Sequence, residues 1–267
     1  MIQTIVFSKN RAAQLDQLLQ SIARRAPDAF DPINVLWTAN SADYMRGYRL
    51  CIERHPNAAF NYEHSFAAQL TETLHKSQRD YVMFLCDDDL VTKPFVPDPT
   101  PWFLLSTKQI LTVSLRLGLN TTDCYPLNRP QQNPNFTFAV RDARVWNWKS
   151  ADGDWGYPGS LDGHVFRKGD LLSMLSNTDY TGPNRLEELL MHRCERQEMN
   201  MMACYSESVI TGCPLNLVNT THSRNRNAGQ DPLVANTTYL EGKRPMLYPI
   251  ERNAVTAAHV ELPLVFV

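Results

Sequence analysis

Tyr81-Val82-Met83-Phe84-Leu85-Cys86-Asp87-Asp88-Asp89 decides the reading of this chain. The six largely apolar residues make a run of the length of one buried strand. Three carboxylates follow directly, and the next basic residue is Lys93. Adjacent carboxylates repel each other, and each is costly to desolvate without a partner. Acidic capping of a helix or turn start accounts for one or two such residues more easily than for three. A divalent cation relieves both the repulsion and the desolvation. Oxygen ligands at a strand end suit Mg2+ or Mn2+, which share their coordination between one or two carboxylates and a substrate phosphate. The stretch predicts a phosphorylated ligand bound through a metal. Side chains alternate along an extended chain, so Asp87 and Asp89 are expected on one side. One of them would contact the metal and the other a sugar or ribose hydroxyl.

Upstream, the pattern is strand and helix in turn. Ile2 to Ser8 is an apolar strand, and Leu15, Leu18, Leu19 and Ile22 recur at helical spacing over residues 11–25. Ile33 to Ala39 is a second strand, residues 42–54 a helix, and a third short strand is expected near Phe60. Phe66, Leu70 and Leu74 mark the helix before the Tyr81 strand. Such alternation predicts an α/β fold, a doubly wound sheet that is mainly parallel. Ligands of these sheets bind at the carboxyl ends of the strands. Ser8-Lys9-Asn10-Arg11, Thr38-Ala39-Asn40-Ser41 and Asp87-Asp88-Asp89 all fall there. Backbone amides opening the first helix favour an anion or a hydrogen-bonding base, and Lys9 and Arg11 add positive charge.

Downstream the pattern weakens. Ile110 to Leu117 reads as a strand, and residues 120–140 as a long loop. Arg144 to Lys149 is expected to be an edge strand. The turn-rich Asp152 to Ser160 contains Trp155 and Tyr157. Short strands follow at His164 to Arg167 and Met202 to Ile210. Between them lie helices at Gly169 to Ser176 and Asn184 to Gln197, the second with Pro183 just ahead of it. Residues 231–267 read as a C-terminal extension of a single domain, with 1–95 and 96–230 as its two halves.

The 267 residues, 43% of them hydrophobic, allow one large core, and a net charge of −2 gives no pointer to nucleic acid. Met1 to Phe7 has no basic start, so no signal peptide is expected, and no apolar run approaches a membrane span. The six cysteines form no CxxC pair, which argues against a zinc site or disulfide framework. The expected location is cytoplasmic, with peripheral attachment to a membrane left open.

With these residues in view, the chain resembles GT-A glycosyltransferases, family 2-like ones in particular. Phe7-Ser8-Lys9-Asn10-Arg11 followed by the Leu-rich helix is similar to that family's strand, Thr/Ser-x-Asn-Arg turn and helix. Tyr81 to Asp89 is similar to its strand ending in the Asp-x-Asp metal motif. The resemblance covers roughly residues 1–95. It implies a nucleotide-diphosphate-sugar donor, with base and ribose near Ser8, Lys9, Asn10, Arg11 and Asn40. It places Asp87 and Asp88 on the donor, and Mn2+ or Mg2+ on Asp89 or Asp87. It also implies an acidic pair at a helix start below the acceptor. Asn184-Arg185-Leu186-Glu187-Glu188 is similar to that pair, with Glu where Asp is usual, and Glu188 aligns with the base of an inverting transfer, Glu187 being the alternative. Asp162 and His164 would bond sugar hydroxyls, although a structural turn explains them equally. Trp155 and Tyr157 would stack on a sugar, unless they pack in the core. His222 is expected as a further metal ligand, and Arg224 and Arg226 as cover for the leaving diphosphate.

The implied reaction is metal-dependent transfer of a sugar to a glycan or lipid-linked hydroxyl acceptor, in glycan or polysaccharide synthesis. A sugar nucleotidyltransferase is a rival reading, weakened because the first loop has no glycine. A non-catalytic nucleotide-sugar-binding module is the other.

Overall fold

The computed structural model describes residues 2–218, 226–248, 250 and 255–267. The first part runs β1 (Ile2–Lys9), α1 (Ala12–Arg25), β2 (Phe30–Thr38), α2 (Ala42–Arg54), β3 (Ala59–Tyr62), α3 (Phe66–Lys76) and β4 (Tyr81–Cys86). Next come β5 (Asp89–Val91), α4 (Pro99–Ser106), β6 (Ile110–Ser114), β7 (Asp123–Cys124), β8 (Arg129–Pro130), β9 (Phe136–Val140), β10 (Ala143–Asn147) and β11 (His164–Arg167). The last are α5 (Lys168–Leu175), α6 (Pro183–Glu195), β12 (Met201–Tyr205), β13 (Ile210–Gly212) and α7 (Pro232–Leu240).

Nine strands form one sheet in the order β3-β2-β1-β4-β11-β6-β12-β10-β9. β3, β2, β1 and β4 are mutually parallel, and β12 runs parallel to β6. The fold is therefore α/β with a mainly parallel central sheet, as the strand–helix alternation predicts. Both faces of such a sheet are covered, so its inner strands are apolar on both sides. Val6, Val35 and Trp37 pack beneath α1 and α2. Ile5, Phe7, Leu36 and Phe84 face the other way, onto Leu70 of α3 and Leu186 of α6.

One strand breaks the parallel order in a way that matters for the site. β11 lies between β4 and β6 and is antiparallel to both. Its beginning therefore sits at the rim where β4 and β6 end. Two backbone bonds fix it there, from Gly163 N to Phe84 O at 2.9 Å and from Leu115 N to Gly163 O at 2.9 Å. The turn before β11 thus delivers Asp162 to the same rim as Asp87, Asp88 and Asp89.

Several boundaries differ from those read off the sequence. The expected loop over 120–140 holds β7, β8 and all of β9. The Arg144 strand is not an edge, because β10 is paired on both sides, with β12 and β9. β9 supplies the edge instead, and its exposed residues hide the two-residue alternation. The single strand expected over Met202 to Ile210 is two, β12 and β13, with β13 paired to β5 in a separate ribbon. The chain also turns at Asp87 and Asp88, so the alternation assumed for Asp87 and Asp89 does not apply.

The C-terminal residues return to the molecule. Bridges join Asp123 to Ala257 and Gly212 to His259. α7 packs on α1 and α2 around Asp16, which is fully buried. Asp16 accepts from His55 Nε2 at 2.6 Å, Tyr239 Oη at 2.8 Å and Arg54 Nη1 at 3.0 Å. Burial opposes its charge, but these donors outweigh it and hold the carboxyl at about 2.

Candidate active site

The rim is assembled from strand ends. Asn10 follows β1 directly with a φ of 59°, a left-handed conformation that asparagine tolerates better than most residues. Its Oδ1 accepts from Asn40 N at 3.0 Å, and its own N–H donates to Thr38 O at 3.2 Å. Asn10 thus ties the ends of β1 and β2 together, leaving Lys9 and Asn40 exposed beside it.

Asp87 is fully engaged by the protein. Ser8 Oγ donates to its Oδ2 at 2.8 Å, Lys9 N donates to the same oxygen at 3.1 Å, and Arg11 Nη1 donates to Oδ1 at 2.9 Å. Arg11 Nη1 also reaches Asp88 Oδ2 at 2.9 Å, while its Nε donates to Asn216 Oδ1 at 2.7 Å. Burial and the neighbouring Asp88 push the Asp87 carboxyl up to about 6, against the pull of Arg11. The two carboxylates raise the Arg11 guanidinium further above its ordinary range, although burial works against its charge.

Asp89 differs. Its Oδ2 accepts from Cys86 N at 2.8 Å, but its Oδ1 is buried and has no hydrogen-bond partner among the described residues. Burial, then Asp162 and Asp88, push this carboxyl well above its usual range. Gly212, the partner of Asp89 across the β5–β13 ribbon, brings His259 close. A Cβ on Gly212 would lie 2.4 Å from His259 Cδ2 and 3.5 Å from Asp89 Oδ1. Only a residue without a side chain lets the imidazole settle over the ribbon there. His259 Nε2 faces Asp162 Oδ2 at 3.2 Å, and Arg116 Nη2 reaches His259 Nδ1 at 3.5 Å. Arg116 also pairs with Asp154 at 3.0 Å and Asp162 at 3.2 Å, and donates to Ser160 Oγ. Burial opposes the charge on Asp162, yet the His259 bond and Arg116 hold it below the usual carboxylate range.

Glu187 completes the cluster from the first turns of α6. The helix is set there by Gly159, where a Cβ would meet the Met191 backbone at 2.6 Å. Burial and the nearby Asp162 push the Glu187 carboxyl up to about 8, with Arg116 and a hydrogen bond from Leu161 N opposing. Tyr157 is half-buried beside it.

The structure distributes the other expected residues differently. Glu188 lies on the exposed side of α6, where its Oε2 accepts from Arg185 Nη1 at 2.6 Å. Leu186, Leu190 and Cys194 are the buried stripe of that helix. Glu187 lies three residues before Leu190 and borders the stripe, whereas Glu188 is turned away from it. Trp155 is fully buried, edge-on to Trp146 at 5.0 Å, so no face is open to a sugar. His164 is buried as well, its Nδ1 donating to Pro158 O at 3.1 Å, and burial lowers it to about 3, which keeps it neutral. Arg226 is exposed, stacked 4.2 Å over Tyr125 and donating to Asn128 Oδ1 at 2.6 Å. His222 and Arg224 lie outside the described residues.

Arg116, Asp154 and His259 have no place in the sequence reading. Arg116 is the lone charge in an apolar run ending β6, and His259 follows Ala257-Ala258 in a polar-poor segment. An isolated charge in such a setting is the one signal that marks either of them.

The donor set can be tested for a metal. Among the described residues no three of His, Cys, Asp and Glu are grouped closely enough to hold an ion by themselves. Mg2+ and Mn2+ do not need such a cage, since substrate phosphate and water fill most positions. The unpartnered Asp89 Oδ1, with His259 and Asp162 beside it, fits a cation that arrives with its ligand.

No protein-family model matches the chain. It is similar to the bifunctional glycosyltransferase pgtA of Dictyostelium discoideum, with 29% identity over 210 residues. The match covers 70% of this chain and 27% of that protein, so the chain spans about a quarter of this relative's length. The relative bears out the resemblance to glycosyltransferases. Among solved structures, S. aureus TarS is similar at 13% identity and a TM-score of 0.46, over 79% of this chain and 36% of that one. Glucosyl-3-phosphoglycerate synthase from Mycobacterium tuberculosis, solved with Mn2+ and uridine-diphosphate-glucose, gives 16% identity and a TM-score of 0.41. That match covers 76% of this chain and 68% of the synthase. Among the described residues no helix is long and apolar enough to cross a membrane.

Proposed function

We propose that this chain is a metal-dependent glycosyltransferase that moves a sugar from a nucleotide-diphosphate donor to a hydroxyl acceptor on a glycan or lipid-linked glycan. The observation that carries the reading is the unpartnered, buried Asp89 Oδ1 at the rim of the sheet, with His259 and Asp162 next to it. A buried carboxylate oxygen without a donor is costly unless a ligand supplies the missing positive charge.

In this reading Asp89 and His259 hold Mn2+ or Mg2+. The cation, when bound, stabilises the departing diphosphate as a Lewis acid. Asp87 has its oxygens occupied by Ser8, Lys9 and Arg11, and its part is to position Arg11 beside the donor. The exposed Lys9 and Asn40 face the nucleotide. Arg116 keeps Asp162 ionised and oriented. Glu187, not Glu188, removes the acceptor proton. The acceptor oxygen attacks the anomeric carbon, the bond from that carbon to the diphosphate oxygen breaks, and the nucleoside diphosphate leaves. A carboxyl held near 8 is well matched to that proton transfer, because a base works best with a pKa near the operating pH. Direct attack of this kind inverts the anomeric configuration.

The test is a thermal-shift screen of nucleotide sugars with and without Mn2+, followed by a transfer assay with Mn2+ and with chelator. Stabilisation by one donor only in the presence of metal is the expected result, since binding to the folded state alone raises stability. Equal turnover under chelator removes the metal from the mechanism.

A further inference from the structure

The face of the sheet beneath α3 holds a groove of about 540 Å³ between β1, β2, β3 and that helix, running from Gln3 near the start of β1 to Leu36 and Asn61 near the carboxyl ends of β2 and β3. Gln3 and Ser8 stand at opposite ends of β1, with Gln3 near the strand's start. At about 3.3 Å per residue, six residues of strand set Gln3 and Lys9 roughly 20 Å apart. A covered face of a parallel sheet is ordinarily apolar. Here three neighbouring strands each contribute a carboxamide, Gln3, Asn34 and Asn61. Ile5 pairs in register with Asn34, and Leu36 with Asn61, so amides and apolar side chains line the same groove. Gln3 is only 2% exposed. Its Nε2 donates to Asn34 Oδ1 at 2.7 Å and to Pro32 O at 3.2 Å.

The charges at the groove are balanced. Lys76 Nζ pairs with Glu72 Oε1 at 2.5 Å, and Arg79 Nη2 with Asp31 Oδ2 at 3.4 Å. Among the described residues that line it, the groove therefore carries no surplus of positive charge to favour a phosphate over a neutral ligand. Carboxamides that both donate and accept, set beside aliphatic surface, match a ligand with neutral vicinal hydroxyls and apolar C–H faces.

We propose that this groove is a second, non-catalytic carbohydrate-binding site, which takes a neutral oligosaccharide on the sheet face beneath α3, starting from Gln3 at the end of β1 away from the acidic rim. The proposal does not depend on the transferase reading. Glycan binding here and sugar transfer at the rim succeed or fail separately.

The experiment is NMR titration of the full chain with neutral trisaccharides: maltotriose, mannotriose, cellotriose and chitotriose. The expected result is saturable shifts of backbone amides around residues 3, 34, 61 and 69–79 with at least one of them, and none at residues 8–11. Asn61→Leu alters an exposed side chain and keeps the fold, and with Asn34→Leu it should weaken binding at least tenfold. Thermal melting of the Asn61→Leu single variant should be unchanged, the double variant should melt somewhat lower because Gln3 loses the Asn34 acceptor, and the response of both to donor and Mn2+ should be unchanged. The proposal is overturned if all four sugars leave the groove amides unmoved. It is equally overturned if the double variant binds as tightly as the parent, or if inorganic pyrophosphate displaces the sugar from the groove.

Discussion

Glu187→Gln separates the chemistry at the rim from its cost to the fold. The folded chain holds the Glu187 carboxyl at about 8 against an ordinary 4.5. The folded state therefore binds this proton more tightly than the unfolded chain, and stability falls as pH climbs from about 4.5 to about 8. At pH 7 that linkage amounts to about 3 kcal/mol for an isolated group. Partial solvent contact and the electrostatic coupling to Asp162 bring the expectation to about 1–3 kcal/mol. Glutamine has a similar shape, still accepts from Leu161 N through its oxygen, and has no charge to desolvate. The variant should therefore melt above the parent at pH 7, by about 2–10 °C for a chain of this size. The gap should shrink to under about 1 kcal/mol at pH 5, where the parent's carboxyl is protonated in the fold and only partly ionised without it. Transfer should be lost while donor binding survives, and the parent's kcat/KM should rise with pH through about 8. Differential scanning calorimetry at both pH values and a transfer assay measure all of this. Identical melting of the two proteins at pH 7, or retained transfer, refutes the assignment.

Other outcomes follow from the same geometry. Gly212→Ala places a methyl group 2.4 Å from His259 Cδ2, so it should displace the imidazole. Mn2+-dependent donor binding, followed by calorimetric titration, should weaken at least tenfold while circular dichroism stays native. Arg11→Ala leaves Asp87 and Asp88 without their shared cation, and removing one partner of a buried pair costs about 3–5 kcal/mol. Urea denaturation at pH 7 reads that loss, and an unchanged midpoint would mean that the pair is unimportant. Asp16→Asn removes a carboxyl held at about 2, whose pH-dependent contribution is about 2 kcal/mol at neutral pH. Because this pKa is depressed, the contribution is full above about 4 and is lost as pH falls through 2. The gap between parent and variant should narrow in acid.

The first half of the chain was legible because its physics is local. Buried parallel strands are apolar without interruption, so Ile2–Lys9 and Tyr81–Cys86 announce themselves, and three consecutive carboxylates require an explanation. Alignment of an acidic pair put Glu188 ahead of Glu187 as the candidate base, whereas the structure places Glu187 toward the cluster and Glu188 on the exposed side of α6. The helical phase of Leu186, Leu190 and Cys194 already favoured Glu187 over Glu188. Arg116, Asp162 and His259 come from three separate parts of the chain. Their meeting depends on an antiparallel strand inserted into a parallel sheet and on a tail that returns, and neither has a local signature. The stacking role expected of Trp155 failed for a simpler reason, since composition alone does not tell a buried tryptophan from an exposed one.

The bridge from Gly212 to His259 has a consequence for biosynthesis. A ribosome completes the carboxylates of residues 87–89 long before it reaches the imidazole that settles beside them. Until then a nascent chain has its acidic rim without that neighbour. Any fragment terminated before residue 259 has the same defect, however well its sheet has formed. The proposed metal pair of Asp89 and His259 is therefore assembled only once residue 259 has been made and has folded back against Gly212.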